Sequence, residues 1–334
     1  MTGGPIFIAG PDRSGTTLLF ALLASHPNIS MVRRTNMWRY FHKRYGDLKQ
    51  SENFDRCFGE MLRYNRICNF LQPDAKRIRQ EFWLGEPTYG RLFSLFHQQH
   101  AESLGKTRWG DKSLHTEHYV DRVFAEFPDA KIIHITRDPR DRYASVRKRH
   151  GRDVPRLGGA NGRWLFSMTK ALDNRKRFPG QYKIIRFEDL AGDPEGTMRE
   201  VCAFIGEEYI PEMLTMSGAS DHTSSGGNSS FGKIEPGKIS QKPIGRYREV
   251  LSNIEIAYIQ LVAGKFMTHL GYEHALVKLS AKEMLKFYGQ VVPSSLMRTF
   301  GWILLNEIKI LRGEPLPRSR MLPGTTKDIE GQYV

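Results

Sequence analysis

Short apolar runs and segments with helical spacing alternate along this chain. Residues 5–10 form an apolar run that ends in glycine, as is typical of a buried strand in a parallel sheet. Residues 15–25 follow with leucines on one face, which predicts a helix that ends at His26 and Pro27. A strand, a polar loop bounded by glycines and a helix therefore follow one another.

The same order of elements returns further along the chain. Residues 131–136 are β-branched and predict a central strand, and residues 141–149 predict the helix after it. Residues 182–187 predict another strand, and Asp193 followed by Pro194 is typical of a helix start. Strands that alternate with helices predict an α/β fold, a P-loop-like three-layer sandwich with a central parallel sheet.

Two segments depart from this alternation. Residues 36–105 are rich in aromatic residues and helix formers, so we expect a helical insertion that caps the sheet. Residues 275–334 predict a C-terminal helical extension, with a basic amphipathic helix at 296–311 and a poorly ordered end. That helix docks on the core in one interpretation and lies on a membrane or a partner in the other. The main domain is expected to span residues 1–274.

The composition is that of an ordinary globular protein. Of the 334 residues, 40% are hydrophobic and 26% are charged, and no stretch reaches the ~20 apolar residues that span a bilayer. The three cysteines offer no close metal-ligand pair and fit a reducing compartment. The first apolar run leaves no room for a signal peptide after Met1. We therefore expect a cytoplasmic protein.

The net charge of +14 is unusual and unevenly distributed. Residues 131–186 hold sixteen Lys or Arg against four Asp or Glu. This pattern fits a nucleic-acid binder, a membrane-surface binder or an enzyme for polyanionic small molecules, and a solvated basic face would also produce it. The charge alone does not distinguish these classes of protein, so local sequence motifs are needed.

The polar loop at residues 10–17, Gly-Pro-Asp-Arg-Ser-Gly-Thr-Thr, carries the most informative motif. Its place between a strand and a helix aims backbone N–H groups and the positive end of the helix dipole at an anion. The glycine spacing copies a Walker A loop, but Thr16 stands in place of the lysine, and Arg13 is the cation. The second strand ends in Arg137 rather than in a Mg²⁺-binding aspartate. We therefore expect an anion site that uses arginine and no metal.

This loop resembles that of the sulfotransferases that use PAPS (3′-phosphoadenosine 5′-phosphosulfate) as donor. Arg-Ser-Gly-Thr-Thr is similar to the family's 5′-phosphosulfate loop, in the arginine version of bacterial and tyrosylprotein members. The resemblance implies that the 5′ end of PAPS binds five consecutive residues, which are Arg13, Ser14, Gly15, Thr16 and Thr17.

Further motifs extend the resemblance over roughly residues 5–272. Arg137, followed eight residues later by Ser145, resembles the pair that holds the 3′-phosphate in the family. Both would reach one phosphate at the carboxyl edge of the sheet. Lys112 resembles the lysine that the family places near the sulfuryl group. Ser240, Lys242 and Arg246 resemble a late loop of the family that closes over the nucleotide. Residues 228–231 would pack against the adenine.

The general base that a hydroxyl acceptor requires is harder to find. Tyrosylprotein and several bacterial relatives carry a glutamate shortly after the His-Pro pair, but residues 26–36 contain no carboxylate here. Arg33 and Arg34 stand there instead, which predicts an anionic acceptor or a remodelled site. His115, three residues after Lys112, is the nearest substitute, since a histidine fills this role in cytosolic sulfotransferases.

The resemblance implies in-line transfer of a sulfuryl group from PAPS to a hydroxylated acceptor, which is a carbohydrate, a lipid or another small molecule. Arg13 and Lys112 would stabilise the leaving phosphate, and His115 would be the base. The alternatives are a protein-tyrosine acceptor, an unusual P-loop kinase or NTPase, and a non-catalytic domain that binds nucleotides or other anions. We expect no specific nucleic-acid partner, and we expect membrane contact only through the tail.

Overall fold

The computed structural model describes residues 3–150, 157–219 and 238–323. In these ranges five strands form one parallel sheet in the order β2-β3-β1-β4-β5. The predicted α/β fold with a central parallel sheet is confirmed. The strands are β1 (Ile6–Ala9), β2 (Ile29–Arg33), β3 (Arg108–Lys112), β4 (Lys131–Thr136) and β5 (Tyr182–Arg186).

Helices connect the strands, and the longest series lies between β2 and β3, where the helical insertion was expected. A π-helical turn at Phe287–Val291 joins the last two helices. The helices are α1 (Thr16–Ala24), α2 (Met37–Tyr40), α3 (Ser51–Arg63), α4 (Asn65–Leu71), α5 (Ala75–Phe82), α6 (Tyr89–Ser103), α7 (Val120–Glu126), α8 (Pro139–His150), α9 (Leu157–Arg177), α10 (Phe187–Gly192), α11 (Pro194–Ile205), α12 (Tyr247–Val250), α13 (Asn253–His269), α14 (Ala281–Lys286) and α15 (Val292–Arg312).

Alternate residues of β1 face two different hydrophobic cores. Phe7 and Ala9 belong to the larger core, which the insertion, α9 and α13 also build. Ile6 and Ile8 belong to the smaller core, with α1 and α11 on the other side of the sheet. A strand buried on both faces needs apolar residues at every position, which explains why the run of β1 was easy to recognise.

The apolar pattern does not predict β2 and β3. Strand β3 contains arginine, aspartate and lysine, yet all five of its residues are buried. Arg108 donates to the carbonyl oxygen of Ile205 at 2.7 Å and pairs with Glu207 at 3.0 Å. Charged residues are tolerated in this central strand because distant segments complete their hydrogen bonds.

One face of the tail helix α15 docks on the core, as the first of the two interpretations requires. A Cβ atom on Gly158 of α9 would lie 2.1 Å from the carbonyl oxygen of Ser295, so only glycine allows this close approach. Thr299 donates to the carbonyl oxygen of Gly158 at 2.9 Å and also contacts the hydroxyl of Tyr258. Within the described ranges, no helix is long and apolar enough to cross a bilayer.

Candidate functional site

The loop between β1 and α1 has the backbone of an anion-binding loop. Gly10 has a φ of 128°, and a Cβ there would lie 2.3 Å from the carbonyl oxygen of Ile135. Gly15, with a φ of 96°, precedes α1, whose N-terminus has no side-chain cap. The first N–H groups of the helix are therefore available to a ligand.

Arg13 joins this loop to the second predicted motif. The Nε of Arg13 donates to Oγ of Ser145 at 3.0 Å, and Nη1 of Arg137 donates to the carbonyl oxygen of Arg13 at 3.4 Å. Burial, together with the charges of Arg149 and Arg137, lowers the pKa of Arg13 to about 10, so it remains charged at neutral pH. Two motifs more than 120 residues apart in sequence thus form one cationic cluster.

Asp12 anchors the loop, a role that the sequence motif did not reveal. Arg142 donates to its carbonyl oxygen at 2.9 Å and to its carboxylate at 2.6 Å, and Arg163 lies 3.2 Å from the carboxylate. Burial alone would raise the pKa of Asp12, but these two arginines hold it well below its usual range. The carboxylate in the loop therefore fixes loop geometry through arginine.

Arg137, the second cation of the cluster, is only 5% exposed. Its Nη2 donates to the carbonyl oxygen of Pro243 at 2.5 Å, and its Nε has no hydrogen-bond partner in the described part of the chain. The neighbouring carboxylates are bonded elsewhere, since Asp138 pairs with Arg140 and Asp141 accepts two backbone N–H groups. Burial lowers the pKa of Arg137, and the nearby carboxylates partly offset that effect. This buried cation suits a bound phosphate.

The predicted late loop lies against the same cluster. Besides the contact of Pro243 with Arg137, the N–H groups of Gly245 and Tyr247 donate to Asp141 at 2.7 and 2.8 Å. Ser240 accepts a hydrogen bond from the N–H of Lys242, and Arg246 donates to Glu249. Nucleotide contacts by Ser240, Lys242 and Arg246 stay predictions, and the adenine-packing residues 228–231 lie outside the described residues.

Lys112 reaches the loop from the end of β3. Its Nζ donates to Oγ1 of Thr17 at 3.4 Å, and its side chain is 9% exposed. Burial, with the charges of Arg34 and Arg33, lowers its pKa to about 8. Ser14 and Thr16 are also buried in the loop. Lys112, which the sequence also predicted, therefore lies beside the predicted loop.

Cations from distant segments lie near Lys112. Arg34 has a φ of 65°, and its N–H donates to the carbonyl oxygen of Lys112 at 2.9 Å. Burial, then the charges of Arg33, Arg320 and Arg149, lower the pKa of Arg34. The His-Pro segment, the tail and the end of α8 thus contribute positive charge to one region.

Asp111 is the carboxylate nearest to Lys112 in sequence, and the motifs did not single it out. Its Oδ2 accepts hydrogen bonds from Thr35 at 3.0 Å and Ser113 at 2.7 Å. Burial raises its pKa to about 6, and the two hydroxyls limit the rise. The only signal in the sequence was its position beside Lys112.

His115 lies in a buried polar cluster at the 3₁₀ turn Thr116–His118. It has a φ of 66°, and burial, with the charges of Arg39 and Arg163, lowers its pKa to about 3. His118 stacks on Phe166, and Glu117 accepts a hydrogen bond from a serine of α9. Ligand atoms of His115, Glu117 and His118 lie within 4.8 Å of one another. The predicted absence of a metal and the catalytic role of His115 stay predictions.

Comparison with known proteins shows which family this sequence matches. A family model described as the sulfotransferase family matches residues 5–211. Human carbohydrate sulfotransferase 2 is 28% identical over 201 residues, which are 47% of this chain and 38% of that protein. Omega-hydroxy-beta-dihydromenaquinone-9 sulfotransferase of Mycobacterium tuberculosis is 32% identical over 103 residues, 26% of each chain. The chain thus matches well under half the length of these two relatives.

Solved structures support the fold. The sulfotransferase domain of the Synechococcus PCC 7002 olefin synthase superposes with a TM-score of 0.57 at 20% identity, covering 80% of this chain and 94% of that domain. The sulfotransferase domain of the curacin biosynthetic pathway gives a TM-score of 0.56 at 18% identity, with 82% and 99% covered. At such low identity the likeness establishes the three-layer fold.

Proposed function

This chain belongs to the sulfotransferase family, and we propose that it moves the sulfuryl group of PAPS to a hydroxyl group of an acceptor. The observation that carries the proposal is the direct contact between the two motifs. Arg13 donates to Ser145, while Arg137 donates to the backbone of Arg13. A single cationic cluster of this kind suits a donor that has phosphates at both its 5′ and 3′ positions.

The proposed chemistry is an in-line displacement at sulfur. The acceptor oxygen forms a bond to sulfur while the bond from sulfur to the 5′-phosphate oxygen breaks, and negative charge develops on that phosphate. Arg13, Lys112 and the N–H groups at the start of α1 are suited to stabilise this charge. The hydroxyl groups of Thr16 and Thr17 would add hydrogen bonds there.

A base has to remove the proton of the acceptor hydroxyl, and we propose that His115 is this base. Its low pKa keeps it neutral at pH 7 but makes it a weak base. If it is the base, His115→Ala lowers turnover at saturating donor by about a hundredfold and removes the acid limb of the pH profile. An unchanged profile would exclude His115 and leave Asp111, with its pKa of about 6, as the carboxylate to examine.

For the acceptor, we propose a carbohydrate or lipid hydroxyl that has an anionic group nearby. The relatives named above act, by their names, on a carbohydrate and on a menaquinone. The cations around Arg34, which include Arg149 and Arg320, support an acceptor with negative charge. No carboxylate lies in residues 26–36 to repel it.

Transfer of label from sulfur-labelled PAPS to panels of acidic and neutral sugars, lipids and tyrosine peptides tests this function. We expect label on acidic sugars or lipids with the wild type, and loss of transfer in Arg13→Ala. Binding of 3′,5′-ADP without transfer or release of sulfate would instead identify a non-catalytic member of the family. Preference for ATP with Mg²⁺ would identify an NTPase.

A further inference from the structure

The end of the tail lies across the helical insertion as a short strap, residues 314–323. At the start of the strap, Glu314 pairs with Arg39 of α2 at 2.5 Å. Near its other end, the N–H of Leu322 donates to the carbonyl oxygen of Arg63 in α3 at 2.7 Å. The strap is therefore attached to the insertion near both of its ends.

A cavity of about 700 Å³ lies between the strap and the insertion. This volume is within the range of ligand pockets, which is roughly 300–1,000 Å³. The insertion lines the cavity with two tyrosines, Tyr40 and Tyr45, and the strap adds apolar side chains such as Leu316 and Met321. Aromatic and apolar walls of this kind pack against the faces of organic ring systems. The size and the lining thus fit an organic ligand.

The charged side chains on the lining are three arginines and one glutamate, which are Arg44, Arg63, Arg318 and Glu60. None of the three arginines has an ion-pair partner among the residues that the structure describes. The Nε atom of Arg63 is buried and has no hydrogen-bond partner among those residues either. A buried N–H group without a partner is costly, so an acceptor atom of a ligand would be stabilising there. The cavity therefore suits an anionic ligand.

Few side chains separate this cavity from the proposed site of transfer. Tyr40 on the lining packs edge-on against Tyr64, with ring centroids 5.9 Å apart. The hydroxyl of Tyr64 accepts a hydrogen bond from Nδ2 of Asn36 at 3.3 Å. The N–H of Asn36 in turn donates at 2.9 Å to Oγ of Ser113, the residue after Lys112. A ligand that reaches from the cavity to Lys112 therefore has to be extended, as an oligosaccharide is.

We propose that this cavity binds an acidic sugar unit of the acceptor, with Arg63 and Arg318 on its anionic group and the two tyrosines against its ring. A hydrocarbon chain fits less well, because it would bury the guanidinium groups without giving them partners. Arginine pairs with a carboxylate or a sulfate through two parallel hydrogen bonds, which also fixes the orientation of the sugar. The inference deepens the proposed function and rests on it for the transfer step, whereas binding of the sugar is measured without a donor.

Calorimetry of the full chain with a hyaluronan tetrasaccharide, in the absence of PAPS, tests the proposal. The wild type is expected to bind this acidic tetrasaccharide about tenfold or more tightly than chitotetraose, which is neutral. Arg63→Gln/Arg318→Gln is expected to weaken hyaluronan binding about tenfold and to leave chitotetraose binding unchanged. The control Lys265→Gln/Lys282→Gln removes the same charge at two exposed lysines and is expected to leave both affinities unchanged.

The remaining readouts separate this proposal from its rivals. Arg44→Gln, at an exposed arginine of the same lining, is a second variant and is expected to weaken hyaluronan binding about threefold. A Tm within about 2 °C of the wild type shows that each variant is folded. Equal affinity of the wild type and both lining variants for the hyaluronan tetrasaccharide would overturn the proposal. So would tighter binding of lysophosphatidic acid than of the tetrasaccharide, because a lipid would then be the better ligand. Transfer of label from PAPS tests the proposed function separately.

Discussion

The proposed donor half of the site and its proposed acceptor half differ in how their charges are assembled. In the donor half, Arg13, Arg137 and Ser145 come from two compact motifs and contact one another directly. In the acceptor half, Arg34 and Arg320 come from a strand end and from the tail, and they share a region without bonding to each other. The proposed donor contacts thus come from local motifs, whereas the proposed acceptor contacts depend on how distant segments fold together.

The largest effect is expected at Arg13, the cation of the donor half. Arg13→Ala should lower turnover about a thousandfold while donor affinity falls no more than about tenfold, because its charge is needed most as the leaving phosphate forms. Single-turnover kinetics with saturating PAPS measure the turnover, and calorimetry measures the donor affinity. Arg13→Lys serves as the control and should recover part of the rate, since it keeps the charge. Equal losses of affinity at unchanged turnover would contradict this role.

A smaller effect is expected at Lys112, which lies between the two halves. Lys112 is charged below its pKa of about 8, so turnover should decline as the pH rises through about 8. Lys112→Met should lower turnover about a hundredfold and abolish that decline. Lys183→Met, a lysine on β5 away from the loop, is the matched control.

Lys112 also affects stability, in the opposite direction to activity. Its folded pKa lies below the usual value of 10.5, so the unfolded chain holds the proton more firmly. Stability from this group should therefore rise between about pH 8 and pH 10.5. Lys112→Met should raise the Tm of the free protein at pH 7, because it removes a buried charge. A lower Tm at pH 7 would show that the charge is compensated in the folded state.

The smallest effect is expected in the acceptor half. Arg34→Gln and Arg320→Gln should each raise the KM for an anionic acceptor about tenfold, with turnover and donor affinity nearly unchanged. High salt should reduce the difference from the wild type, because exposed charges are screened. Arg56→Gln, an exposed arginine of α3, controls for net charge. Unchanged KM values at low salt would separate these cations from acceptor binding.

The sequence could predict the loop and the second motif of the proposed donor half because their signals are local. A glycine-bounded loop after an apolar strand indicates an anion site without knowledge of the rest of the fold. Arg137 follows the end of β4 and Ser145 lies in α8, eight residues later. Because the two residues belong to consecutive elements, their spacing can be recognised in the sequence. The structure also confirms β1, β4 and β5, each of which has an apolar run.

Strand β3, the anchor of the loop and the environment of His115 could not be predicted from the sequence, because they depend on residues that are distant along the chain. Strand β3 is buried although it is charged, since Glu207 and the carbonyl oxygen of Ile205 satisfy Arg108. The anchor from Arg142 to Asp12 joins residues 130 positions apart. The low pKa of His115 comes first from burial, which no local pattern reveals.

The central claim is that the two motifs form one binding site for a nucleotide with phosphates at both ends. Calorimetry with 3′,5′-ADP and with 5′-ADP, on the wild type, Arg137→Ala and Ser145→Ala, tests it most directly. We predict that the wild type prefers 3′,5′-ADP by about a hundredfold, that Arg137→Ala removes the preference, and that Ser145→Ala reduces it about tenfold. Equal affinity of the wild type for the two nucleotides would contradict the account.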